Sequence, residues 1–361
     1  MRILVYNWRD LAHPKAGGAE VYTDQIARHW VQAGHDVTLF CSAVEGKSER
    51  ETVDGGYRVV RRGGPHGVYG EARRYWQREG RGNFDLVIDE VNTRPFGCPQ
   101  WVTEVPVTAL IHQVAREIWF HETLWPIALV GRYWLEPRWL AAYRDIPTVT
   151  LSESSRESLQ EYGLRNVAVV PVGFDPPDIP GCLPPKEPTP TFVFVGRLAW
   201  NKRPHDAIEA FSLARKKMPD ARLWVIGTGP LEQKLRRRST PGVEFLGWVD
   251  EREKRDRTAR SHALLVTSVR EGWGLVVTEA ASVGTPSIGY NVPGLRDSIP
   301  VSGGTLVDPH PEALAESLLS RIDAFSRETH SIRPLGVTSW IDVASGILAI
   351  ATHDDRSTSP V

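Results

Sequence analysis

Short continuous apolar runs recur along this chain, separated by stretches of helical periodicity, as expected when strands buried on both faces alternate with helices. In the first half the runs at 3–6, 37–40, 86–88 and 107–111 predict strands, and those at 149–151 and 167–170 extend the series. Between the first two, residues 19–33 carry apolar positions at helical spacing and stop at Gly34, which suits a C-terminal cap. A second series begins after residue 190, with strands expected at 192–195, 222–226, 243–246, 263–266 and 285–288. The pattern predicts an α/β protein made of two doubly wound, Rossmann-like parallel-sheet domains.

The stretch 176–190 holds so many prolines that it fits neither a helix nor a central strand, and it reads as a hinge. The expected domains are therefore 1–175 and 191–336, with a frayed polar tail at 354–361. A length of 361 residues agrees, being too long for one typical core. Two such domains leave a cleft between the carboxyl ends of their sheets, where ligands bind. There is no short-period repeat of the solenoid kind.

Charge and cysteine usage narrow the class. Lys+Arg 43 against Asp+Glu 44 gives a formal net charge of −1, which argues against nucleic acid as a partner. Cys41, Cys98 and Cys182 lack metal-like spacing, so a reducing compartment is expected, without a disulfide framework or zinc site. The first apolar run is broken at once by Asn7, Arg9 and Asp10, unlike a secretory leader. No run approaches the roughly 20 apolar residues that cross a bilayer. The expectation is a cytoplasmic protein, with peripheral membrane contact left open.

The chemistry concentrates at Glu271, Gly272, Trp273, Gly274, Leu275, Val276 and Glu279, between an expected strand and an expected helix. Glycines there let backbone come close to a ligand, and a helix N-terminus attracts anions. A carboxylate at the same place favours neutral hydroxyls, so the segment suits sugar hydroxyls, then phosphates, with Glu279 two turns into the helix reaching a ribose. After the strand at 192–195, the loop opened by Gly196 carries Arg197 and Lys202, fixed cations where a leaving diphosphate would need them. Gly227 and Gly229, and then Trp248 and Val249, follow two further strands. In the first half Gly17 and Gly18 sit between the first strand and the first helix. They do not form a Gly-x-Gly-x-x-Gly dinucleotide fingerprint. His112 ends the strand at 107–111.

In order and spacing these segments resemble family 4 retaining glycosyltransferases, with their Glu-x7-Glu motif and GT-B fold, over most of the chain. The resemblance implies that Glu271 contacts the transferred sugar and Glu279 the ribose. It implies that Arg197 and Lys202 stabilise the diphosphate in place of a metal, there being no Asp-x-Asp in the chain. It places Gly227, Gly229, Trp248 and the backbone of Val249 at the nucleotide base. Gly17 and Gly18 fall where the family's flexible glycine loop approaches the donor phosphates, although a plain tight turn reads the same way. His112 falls beside the sugar's primary hydroxyl, followed by Gln113 where an acidic residue is frequent. A closing helix near 337–353 is expected to cross back onto the first domain.

The implied activity is hexosyl transfer from a nucleoside-diphosphate sugar to a carbohydrate, glycolipid or small-molecule acceptor, with no cofactor and no metal. A front-face mechanism is implied, in which the departing phosphate oxygen deprotonates the acceptor. A sugar-nucleotide epimerase, a phosphorylase and a catalytically silent nucleotide-sugar-binding protein are the alternatives. The segment 115–143 is crowded with aromatics and arginines, among them Trp119, Trp125, Tyr133, Trp134, Arg132 and Arg138. It reads equally as a membrane interface, an acceptor groove or helix packing. Arg58, Arg61 and Arg62 suit either an anionic acceptor or a solvated strand end.

Overall fold

The computed structural model describes residues 1–174, 183–321 and 338–352. The chain forms two compact units. Met1–Arg116, Pro126–Asp175 and Val337–Val361 make the first, and Glu117–Trp125 with Pro176–Gly336 make the second.

In unit 1 the strands are β1 (Arg2–Tyr6), β2 (Asp36–Cys41), β3 (Arg50–Thr52), β4 (Arg58–Arg61), β5 (Leu86–Glu90), β6 (Val107–Leu110), β7 (Thr148–Thr150) and β8 (Val167–Val169). They lie in the order β3-β4-β2-β1-β5-β6-β7-β8, parallel except for β3. The chain runs outward from β1 to one side and then returns to its other side. The carboxyl ends of β1 and β5 thus form a topological switch point. The helices are α1 (Gly18–Gln32), α2 (Val68–Tyr75), α3 (Ile118–Glu122, in the excursion that joins unit 2), α4 (Trp125–Val130), α5 (Glu136–Leu140) and α6 (Glu153–Glu161). Glu20 turns back to accept the Gly17 N–H at 2.6 Å, a capping box that starts α1. Ser152 caps α6 by accepting the Ser155 N–H.

Unit 2 holds β9 (Thr191–Val195), β10 (Arg222–Ile226), β11 (Val243–Gly247), β12 (Ala263–Val266), β13 (Ser287–Tyr290) and β14 (Thr305–Val307), with α7 (Pro204–Arg215), α8 (Glu232–Arg238), α9 (Glu251–Arg260), α10 (Leu275–Ser282), α11 (Leu295–Val301) and α12 (Pro311–Ser320). The sheet is wholly parallel in the order β11-β10-β9-β12-β13-β14, with its switch point between β9 and β12. Side chains of β9 alternate between two cores: Phe192 and Phe194 join one, Val193 the other. Burial on both faces is why these strands read as unbroken apolar runs. The sheet of unit 1 is packed on both faces in the same way.

The closing helix α13 (Trp340–Thr352) packs on α1 in unit 1, where the Trp30 indole donates to the Ala344 carbonyl at 2.8 Å. Residues 354–361, Cys182 and the first part of the expected hinge lie outside the described residues. The described part of the hinge has no helix or strand, but it is fastened to unit 2. There the Lys186 ammonium donates to the Ser261 carbonyl at 2.7 Å and the Thr285 hydroxyl at 2.9 Å.

The expected strands all form, with β13 shifted two residues toward the C-terminus. Three strands were not expected. β3 is a short polar edge, β4 is two valines between arginines, and β14 is a half-buried edge, so none carries a strong apolar run. The reading as a solvated strand end holds for Arg58, exposed beside Asp36, but not for Arg61, buried between Asp10 and Glu51; Arg62 pairs with Glu49 and Glu79.

Candidate functional site

Two groups of side chains gather at carboxyl ends of strands, one in each unit. In unit 2 the loop after β9 and the loop after β12 meet at the switch point and are bonded to each other. The Val269 N–H donates to the Asn201 carbonyl at 2.8 Å, and the Thr267 hydroxyl lies 2.9 Å from the Lys202 carbonyl and 2.8 Å from that of Arg203. Arg203 itself takes a left-handed turn, φ +47°, as α7 begins. This fastening brings two expected site residues together: the Lys202 ammonium pairs with Glu271 Oε1, which also accepts the Ser268 hydroxyl at 2.6 Å. Arg197 is exposed on the same loop and makes no ion pair among the described residues.

Gly274, in a left-handed conformation, turns the chain into α10. Helix geometry leaves the N–H groups of the first turn, those of Leu275 and Val276 included, without partners inside the helix. The Trp273 side chain is only 7% exposed and its indole donates to the Thr278 hydroxyl at 2.9 Å. That indole supports the loop from behind and offers a ligand only the residue's backbone. Glu279 is the fifth residue of α10, not two turns in. It pairs with Lys254 of α9 at 3.0 Å, and Lys254 also meets Glu251 at 2.8 Å. Burial pulls the Lys254 ammonium down, but Glu279 and Glu251 outweigh it and hold it above its ordinary range.

The loops after β9, β10 and β11 are laced by backbone bonds from Gly196 to Ile226, Leu198 to Thr228 and Gly227 to Gly247. A Cβ on Gly227, whose φ is +124°, would lie 2.1 Å from the Gly196 carbonyl oxygen; one on Gly229 would lie 2.5 Å from that of Leu198. Loop packing alone therefore demands both glycines. Trp248 is 78% exposed and Val249 half-buried, just before Asp250 caps α9. A cavity of about 490 Å³ opens between α7 and α8, but the expected donor residues do not line it.

In unit 1, Gly17 and Gly18 are exposed at the start of α1. Gly17 has negative φ, and a Cβ there would meet only Glu20 Oε2, at 3.8 Å. Unlike Gly227, nothing in the fold demands a glycine at 17. His112 follows β6 beside Glu90 at the end of β5, with Nε2 and Oε1 3.4 Å apart. The Tyr22 ring stands edge-on to the imidazole, centroids 5.0 Å apart. Burial pulls the imidazole down to about 4, so it is neutral at physiological pH. Burial likewise pushes the Glu90 carboxyl well above the usual carboxylate range, against the pull of its Thr23 bond.

Glu90 was not singled out from the sequence. The signal was present in Asp89-Glu90, two acids closing the apolar run of β5, but their burial and their nearness to His112 depend on strand order. Ser268 and Lys254 were missed for the same reason. Asp89 has a structural role, accepting the Tyr143 hydroxyl and the Phe96 and Cys98 N–H groups.

Along α4 and α5, joined by a π-helical stretch (Gly131–Leu135), the usual order of faces is reversed. Trp125, Tyr133 and Trp134 are 68%, 67% and 59% exposed, and Ile127 and Val130 stand out beside them. The inner positions are Ala128, Gly131, Glu136 and, at the end of α5, Leu140 in the hydrophobic core. Glu136 accepts the backbone N–H of Ala115 at 2.6 Å and of Arg116 at 3.0 Å, and the Tyr162 hydroxyl at 3.0 Å. Among the described residues no helix is long and apolar enough to cross a membrane.

Residues 189–323 match the family described as "Glycosyl transferases group 1", and residues 16–177 match "Glycosyltransferase Family 4". Over 93% of its length the chain is 26% identical to a GDP-mannose-dependent alpha-(1-6)-phosphatidylinositol dimannoside mannosyltransferase of Mycobacterium tuberculosis, 92% of which is covered. It is also 26% identical to a glycogen synthase of that organism, over 87% of this chain and 84% of the relative. Among solved structures, WaaG, a glycosyltransferase involved in lipopolysaccharide biosynthesis, superposes with a TM-score of 0.74 at 17% identity, covering 98% of this chain and 100% of WaaG. Sucrose-phosphate synthase from Thermosynechococcus elongatus gives 0.72 at 18% identity, covering 97% and 96%. These likenesses establish the GT-B fold.

Proposed function

Since the chain belongs to glycosyltransferase family 4, we propose that it moves a hexosyl group from a nucleoside-diphosphate sugar to an acceptor hydroxyl, with retention and without a metal. The observation that carries this reading is the pairing of Lys202 with Glu271 across two loops bonded together at the switch point of unit 2. Open α/β sheets bind ligands there. In this reading Glu271, whose Oε1 is already committed to Ser268 and Lys202, offers Oε2 to hydroxyls of the transferred sugar. A carboxylate so held positions the sugar and does not attack it. Arg197, Lys202 and the first turn of α10 face the diphosphate, where negative charge develops as the bond from the anomeric carbon to phosphate breaks. The departing phosphate oxygen takes the acceptor's proton while the new glycosidic bond forms on the same face. Glu279 holds the ribose, while Gly196, Gly227, Gly229, Trp248 and the Val249 backbone surround the base.

A lipid-linked acceptor at a bilayer surface is supported by the reversed faces of α4 and α5, and by the phosphatidylinositol-based acceptor named for the mycobacterial relative. Aromatics with neighbouring arginines suit the interfacial zone of a membrane.

The test is turnover of GDP-mannose, UDP-glucose, UDP-N-acetylglucosamine and ADP-glucose in EDTA, read as nucleoside diphosphate release, with the product's anomeric configuration determined by NMR. Arg197→Ala and Lys202→Ala should each lower kcat about 100-fold or more, the scale of losing one transition-state charge partner. An inverted product would sink retention, activity returning only with a divalent cation would sink metal independence, and no turnover of any donor would sink the reading as a whole.

A further inference from the structure

The donor chemistry leaves one buried acid without a task. Glu90 ends β5 at the switch point of unit 1, one residue beyond the pairing of Tyr6 with Asp89, and its side chain is wholly buried. The groups facing it are Asn7 just after β1, Glu20, Tyr22 and Thr23 from α1, Asp89 from its own strand, and His112 after β6. Glu20 is held by Arg9 at 2.9 Å, and among the described residues no lysine or arginine pairs with Glu90.

The hydrogen bonds fix where its proton lies. Glu90 Oε2 is bonded to Thr23 Oγ1, which also lies 3.0 Å from the Ala19 carbonyl and receives the Asn7 amide N–H at 3.1 Å. A hydroxyl has a single proton to give. When Thr23 gives it to Ala19, one turn back in α1, the contact with Glu90 needs a proton on the carboxyl, the state that burial favours. Oε1 is then a carbonyl oxygen. It lies 3.4 Å from His112 Nε2, just outside a well-formed hydrogen bond, and neither atom has a hydrogen-bond partner among the described residues, so each is the other's nearest polar counterpart. A neutral imidazole carries one N–H, and opposite an atom that can only accept, that proton belongs on Nε2.

We propose that Glu90 is the positioning residue of His112, holding the ring in its Nε2–H tautomer so that Nδ1 is the acceptor for a hydroxyl of the transferred sugar. The inference rests on the reading of His112 as a residue beside that sugar.

The substitution Glu90→Gln keeps the donor toward Thr23 and the carbonyl toward His112, so it should retain kcat/KM for donor turnover within about threefold. Glu90→Leu removes both and should lower kcat/KM about tenfold or more, with the affinity for GDP and UDP unchanged. Combined with His112→Ala, it should cost nothing further. Imidazole 15N NMR should show His112 as Nε2–H in the parent and in Glu90→Gln, and as a mixture in Glu90→Leu, or in Thr23→Val should the leucine variant not fold. A parent ring in the Nδ1–H form, a glutamine variant as impaired as the leucine one, or additive losses would overturn the inference. A His112→Ala enzyme as active as the parent marks failure of the reading of His112 itself, whereas a wrong tautomer in an enzyme that needs His112 marks failure of this inference alone.

Discussion

At the scale of single residues, two glycines expected at the donor differ in what the fold asks of them. Gly227→Ala would place a Cβ 2.1 Å from a carbonyl oxygen at φ +124°, so it should cost several kcal/mol, about the range of overpacking with backbone strain added. Gly17→Ala meets nothing closer than 3.8 Å and should melt within about 1 kcal/mol of the parent while losing donor turnover. Thermal denaturation beside nucleoside diphosphate release separates the two, and an active Gly17→Ala would remove the glycine loop from the donor site. The buried pair titrates in opposing directions. In the unfolded chain Glu90 ionises near 4.5, but folded it keeps its proton, so stability falls as pH rises above that value. Glu90→Gln should therefore raise the melting temperature, by more at pH 8 than at pH 5. For His112 the unfolded ring binds its proton near 6.5 and the folded ring only near 4, so stability is lost as pH drops between them. His112→Gln should flatten that acid limb, a change visible by calorimetry from pH 7 to pH 5. Glu271 and Lys202 were singled out by residue type and order, but their pairing with each other was not legible, because 69 residues of chain separate them.

At the scale of elements, α4 and α5 turn a carboxylate inward and indoles outward. Glu136 is spent on the N–H groups of Ala115 and Arg116 in the loop before α3, which together with Leu140 in the core holds the segment in place. Replacing Trp125 and Trp134 with alanine should abolish sedimentation with anionic liposomes and leave melting nearly unchanged, since both rings are exposed. A large loss of stability, or a parent protein that does not sediment, would return these rings to protein packing. The sequence revealed the density of aromatics in 115–143 but not which face carried them. The short α4 and α5 with a π-helical stretch between them distort the 3.6-residue period by which a face is read.

At the scale of the whole molecule, unit 1 is assembled from three separated pieces of chain, the last being the closing helix. Trp340 stands edge-on to Tyr22, with ring centroids 5.3 Å apart, and packs so tightly on Gly173 that a Cβ there would lie 2.4 Å from its ring. Removing residues 339–361 should lower the unfolding midpoint and hydrogen-exchange protection of β1 and α1, with β9 and β12 still protected. Loss of protection in both units alike would show that the helix serves more than unit 1. The sequence by itself determined the strands that carry apolar runs, the two α/β series and the residue types offered for a donor site, because burial on both faces and strand-to-loop glycines are local signals. Strand order, the bonding of the β9 and β12 loops, the transfer of Glu117–Trp125 to unit 2 and the meeting of Glu90 with His112 were decided only by tertiary structure. They depend on which distant segments pack together, and that choice is made by the summed burial of whole faces, which no single stretch of chain encodes.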